Sequence, residues 1–396
     1  MAGRGRGSTR AAVLLALLLA GLVSCGGQRT GSADTARLQR VLDRRAAAVL
    51  AGDRAAFLAT GTLGWFENVR AVPLAAWSYR VTSVHGSGDD ATADAELSYR
   101  VRGYDTAPVT VRRALALSRR ADGQWSVYAD RPAAKTPQQL WDQGRVTAVR
   151  GAHALVLGVG QPQAALRSYA HLADRAVPAV SAAWGSGWAA HVMVLVPGTL
   201  KGMAGLLGTP ASAYRGIAAV TTGEVGGAAK APADRVIVNP EAYAVLGDLG
   251  RQVVLTHETT HVASRAHTSS ATPLWLSEGY ADWVGYRGTG RTPRQAAPEL
   301  ARAVAEGDLP KALPTDEDFG FGRDATELAR AYEGGWLACR MIADEWGEER
   351  LGRFYRAVGD HRGRSGSVAD ALRRTLGTTP EEFTERWRDY LDERFG

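Results

Sequence analysis

Two histidines four residues apart, His257 and His261, constrain the fold of this chain more than any other feature. They stand in His257-Glu258-Thr259-Thr260-His261, inside a segment from about Leu249 to Ala266 that reads as helix. On a helix, positions four apart lie on one face a turn apart, so both imidazoles reach one point in space. A point shared by two imidazoles suits one Zn²⁺ ion per chain, with Glu258 beside the ion's open position. The bland alternative is a coincidental run on a surface helix.

A second helix start follows at Thr272-Pro273-Leu274-Trp275-Leu276-Ser277-Glu278-Gly279-Tyr280-Ala281-Asp282-Trp283. Thr272 is expected to cap it and Pro273 to take the first helical position, which puts Glu278 and Asp282 four apart on a shared face. Two acids among Trp, Leu and Tyr side chains are costly to bury unless something pairs with them. Glu278 as third metal ligand, and Asp282 accepting the outward N–H of a ligating histidine (His257), would account for both. Ordinary surface acids are the other reading.

Together, His257-Glu258-x-x-His261 and Trp275-Leu276-Ser277-Glu278-Gly279-x-Ala281-Asp282 resemble the gluzincin metallopeptidases, the peptidase MA superfamily that contains thermolysin and the zinc aminopeptidases. The resemblance covers about residues 146–396. It implies an α+β catalytic domain with a small mixed sheet and a mainly helical C-terminal half, acting on peptide or protein substrates. It also implies zinc on His257, His261 and Glu278, with Glu258 as general base. Ala331-Tyr332-Glu333-Gly334-Gly335 resembles the aminopeptidase segment whose tyrosine stabilises an oxyanion, which makes Tyr332 the implied electrophile; a tyrosine packed in a helical core is the competing reading. Two departures bear on the activity. Sixteen residues separate His261 from Glu278, fewer than the commonest aminopeptidase spacing, and no Gly-x-Met-Glu-Asn segment stands upstream. An endopeptidase is therefore expected over an aminopeptidase, with the strand-like run Arg235 to Asn239 pairing with an extended peptide.

His267, six residues beyond His261, is a rival third ligand, because the spacing nearly matches the metzincin pattern. That pattern needs glycine where Ser264 stands, since the chain must turn sharply there. It also needs a Met-turn, and the only methionine after the motif, Met341, falls in a helical run. Glu278 is preferred, with His267 placed along the cleft.

The amino terminus reads as an address. Arg4, Arg6 and Arg10 carry half of the formal net charge of +6, and the apolar run Ala11 to Val23 is too short to span a bilayer. Leu22-Val23-Ser24-Cys25 resembles the bacterial lipobox, which implies a signal over 1–24, acylation at Cys25 and a tether over 25–33. A plain cleaved signal with an incidental cysteine is the alternative. Either way the mature protein is expected outside the cytoplasm, and on the first reading on the extracytoplasmic face of the cell membrane. The remaining charge surplus is small and spread along the chain, so no nucleic-acid partner is expected. Cys339, the second of two cysteines, reads as a buried small hydrophobe on a helix.

Between tether and motif, Thr35 to Leu58 reads as one helix. Trp77 to Val84, Ala91 to Val101, Val109 to Leu117 and Gln124 to Ala129 alternate as strands. A helix and a four-stranded meander over 34–130 resemble the NTF2-like cone, and 131–145 reads as a linker into 146–396. A second functional hypothesis uses the same features: a non-catalytic envelope lipoprotein whose cone binds a ligand or partner and whose zinc only ties helices together. Glu258 argues against it, since a structural site has no use for a carboxylate beside an open metal position.

Overall fold

The computed structural model describes residues 32–86, 88–223, 233–320 and 324–396; residues 1–24, Cys25 and the tether up to residue 31 lie outside the described residues. Among the described residues, no helix is long and apolar enough to cross a membrane. The architecture is α+β, with an N-terminal helix on a four-stranded antiparallel sheet, then a small mixed sheet, then a mainly helical C-terminal half.

The first helix, Ser32–Ala51, is shorter than its periodicity predicts. Gly52 adopts φ +65°, and Asp53 starts a separate short helix, Arg54–Leu58, by accepting from the N–H of Ala56. A left-handed glycine followed by a capping aspartate stops a helix whatever the apolar spacing around it. Strands β1 (Leu74–His85), β2 (Asp90–Val101), β3 (Val109–Arg119) and β4 (Trp125–Pro132) pair in sequence order, all antiparallel. Their alternation buries one face against the helix, with Leu38, Leu42, Leu97 and Leu117 wholly enclosed.

The second sheet runs in the order β5-β6-β7-β9-β8. Its members are β5 (Val146–Arg150), β6 (Ala154–Val159), β7 (Val192–Val196), β8 (Ala219–Thr221) and β9 (Arg235–Val238). β6, β7 and β9 are parallel and, apart from Arg235 at the start of β9, apolar, as strands covered on both faces are; β5 and β8 are antiparallel edges. Arg235–Asn239 is therefore not available to a peptide as the sequence reading expects, because β7 and β8 occupy both of its sides.

The two sheets share one core. Leu155, Leu157, Val159 and Met193 of the second pack with Leu97, Tyr99 and Trp77 of the first. The segment between the sheets is part of that packing: in the helix Leu140–Gln143, Trp141 is buried with its ring 5.3 Å from Trp77 and 4.9 Å from Tyr99. Buried ion pairs accompany this packing. Arg113 bonds Asp130 at 2.7 Å and Asp142 at 2.9 Å, and Arg235 grips Asp105 through both nitrogens at 2.8 and 2.9 Å. Such pairs contribute little net stability, but losing one partner strands a buried charge.

Candidate metal centre

The motif helix spans Asp248–Ser264 and buries its back against the helix Gln163–Trp184. Its other face presents His257 and His261 toward the helix Leu274–Tyr286, which carries Glu278 and Asp282. Pro273 is the N-cap of that second helix, and Thr272 does not cap it: the Thr272 hydroxyl accepts from the N–H of Ser269. The first helical N–H, of Leu274, donates instead to Asp316 at 2.9 Å, a partner 42 residues away.

Glycines let the helices meet closely enough to form the site. The Leu274–Tyr286 helix crosses the helix Ala325–Trp346 backbone to backbone at Gly279 and Gly335. A Cβ on Gly335 would lie 2.6 Å from the Trp275 carbonyl, and one on Gly279 would run into the Gly335 carbonyl. This crossing brings Tyr332, on the longer helix, into the cleft that Glu278 lines.

The three potential ligand atoms converge. His257 Nε2 and His261 Nε2 are 3.0 Å apart, and Glu278 Oε2 lies 3.3 Å from the first and 3.5 Å from the second. Metal–ligand distances of about 2.0–2.1 Å in a tetrahedron put ligand atoms about 3.3 Å apart, so this triangle has the size of one face of a zinc site, and the two-histidine, one-carboxylate donor set suits that ion. His257 Nδ1 faces Asp282 Oδ1 at 2.7 Å, so a metal-bound His257 would donate its Nδ1–H there and turn Nε2 toward the triangle. Burial pulls His257 toward its neutral form, but Asp282 and Glu278 outweigh it and raise its pKa well above the ordinary histidine value. Burial likewise pushes the Glu278 carboxyl up, and His261 and His257 overcome it and hold it well below the glutamate range.

Glu258 is buried, lines the same cleft and is not one of the converging triad. Its Oε2 accepts from the Thr221 hydroxyl at 2.6 Å. Tyr332 lines the cleft with its ring edge-on to Phe319 at 5.1 Å. Burial raises the pKa of its hydroxyl, and the negative charges of Glu278, Asp282 and Glu258 add to the rise. His267 is elsewhere: its Nδ1 pairs with Asp360 at 3.1 Å and its ring packs 5.9 Å from Trp184. Cys339 is wholly buried, and burial holds its thiol protonated.

Two cleft features went unread in the sequence. Arg265, one turn beyond His261, continues the motif face and bonds Asp234 at 3.0 Å; its spacing is the signal that could have found it. Strand β8 is the other, too short for a period of two to register. Its hydrogen bonding follows from the register. Thr222 donates to the Arg235 carbonyl and Asn239 donates to the Ala218 carbonyl, while Val220 stands opposite Ile237. Bonded pairs alternate in an antiparallel ladder, so the N–H and C=O of Ala219 and Thr221 point away from β9, toward the side of β8 on which no strand pairs among the described residues. Ala219, Val220 and Thr221 all line the cleft.

The cleft measures about 560 Å³ and runs from β8 past the triad to Leu328 and Tyr332. No family model matches the chain, and no curated protein matches it in sequence.

Proposed function

We propose that this protein is a zinc metallopeptidase of the gluzincin type, an endopeptidase that cleaves peptides laid along β8. The observation that carries the reading is the triangle of His257, His261 and Glu278, with Glu258 beside it and free of it. A carboxylate outside the ligand set has a use at a hydrolytic centre and none at a structural one.

His257, His261 and Glu278 would hold the ion. A bound zinc supplies Lewis acidity toward a carbonyl and makes a neighbouring water more acidic. Glu258 takes a proton from the attacking water and delivers it to the leaving amine. Tyr332 donates to the oxyanion of the tetrahedral intermediate. An extended peptide pairs with the outward N–H and C=O of Ala219 and Thr221, replacing the interior strand of the sequence reading with an edge strand. The expected result in a fluorogenic peptide-library assay is internal cleavage by zinc-loaded protein, abolished by chelator and restored by zinc. No cleavage at full zinc occupancy would end the reading.

In the same proposal residues 34–130 form an NTF2-like cone and residues 146–396 the peptidase domain. Trp141 packs against Trp77 and Tyr99 on the inner face of the first sheet, which supports a scaffold and not a ligand pocket. Cys25 is the lipid anchor on the extracytoplasmic face of the membrane. Cys25→Ser is expected to move the protein from the membrane fraction to the soluble one; an unchanged membrane fraction would remove the anchor from the account.

A further inference from the structure

Thr221 touches the candidate general base from the strand that the proposal gives to the substrate. Its Oγ1 lies 2.6 Å from Glu258 Oε2 and 3.0 Å from the Glu258 carbonyl. A hydroxyl has one proton to donate. The carbonyl sits inside the Asp248–Ser264 helix, where the helix ladder supplies its donor. The carboxylate contact is the shorter and has the length of a charge-assisted O–H···O⁻ bond. The proton therefore goes to Oε2, which leaves Oε1 to receive a proton from the cleft.

The backbone N–H and C=O of the same residue face the side of β8 that no other strand pairs with among the described residues. β8 is three residues long and, among the described residues, pairs with a strand on one side only. A peptide strand paired there would fix the backbone of Thr221 from the second side, and with it the position of the hydroxyl.

We infer that Thr221 is a positioning residue that couples occupation of the β8 edge to the orientation of the Glu258 carboxylate, an inference that rests on the peptidase reading above. Substrate residues remote from the scissile bond then act through Thr221 on kcat, not only on KM.

The test compares wild type, Thr221→Val and Thr221→Ser on short and long internally quenched peptides, with zinc content and crystal structures of all three zinc-loaded proteins. Valine keeps the shape and removes the hydroxyl; serine keeps the hydroxyl. In wild type, kcat should rise about tenfold from short to long peptides, whereas Thr221→Val should lose about tenfold in kcat on long peptides, with KM within about threefold and the length dependence gone. Thr221→Ser should restore both, zinc content should be equal in all three, and the Glu258 side chain should turn from its place in the valine crystal alone. Thr221→Val with wild-type kcat and length dependence would overturn the inference, as would a serine variant failing like valine or a Glu258 carboxylate unmoved in the valine crystal. If wild type cleaves no peptide, the peptidase reading falls, and the Glu258 position in the crystals alone decides the role of Thr221.

Discussion

Glu258→Gln is expected to cut turnover on a cleaved peptide by about 10³-fold while zinc content and thermal stability stay at wild-type values. Glutamine has the same shape and still accepts the Thr221 hydroxyl, so the buried contact that holds the side chain survives. What it lacks is the ability to take a proton. The ligand triangle excludes residue 258, so the metal has no reason to leave. Kinetics on purified zinc-loaded protein, with metal analysis and thermal unfolding on the same sample, check this directly. Near-wild-type turnover would remove Glu258 as general base; loss of zinc would mean that it holds the ion.

The second large effect is structural. Gly279→Ala is expected to destabilise the protein by about 3 kcal/mol, because the added methyl group meets the Gly335 carbonyl and neither backbone can yield alone. The helices so forced apart carry Glu278 on one side and Tyr332 on the other, so zinc affinity should fall with stability. An exposed glycine offers the control: a Cβ at Gly247, just before the motif helix, meets nothing. Thermal unfolding of Gly279→Ala and Gly247→Ala, each with and without zinc, separates the two. A Gly279→Ala protein as stable as wild type would show that the crossing is looser than its geometry indicates.

The centre was legible because its chemistry follows helical periodicity. Four-residue spacing puts His257 beside His261 and Glu278 beside Asp282, and the structure brings the two pairs together. The alternating runs Trp77 to Val84, Ala91 to Val101 and Val109 to Leu117 fall inside β1, β2 and β3. What the sequence hid depends on distant partners or on very short segments. Asp316 caps a helix that begins 42 residues before it, and Asp105 meets Arg235 across 130 residues. No local pattern encodes either pair. β8 has three residues, fewer than alternation needs in order to show, whereas its more apolar neighbour β9 reads clearly as a strand but has no free side in the folded sheet. The break at Gly52-Asp53 was visible in the residue types but was overridden by the apolar spacing on either side.

The central claim is that His257, His261 and Glu278 form the zinc site, and metal stoichiometry tests it most directly. Zinc content measured on purified wild type, Glu278→Ala and His267→Ala should give one ion per chain in the first and third and a clear loss in the second, because Glu278 Oε2 closes the triangle whereas His267 pairs with Asp360. Full zinc in Glu278→Ala together with loss in His267→Ala would contradict the account.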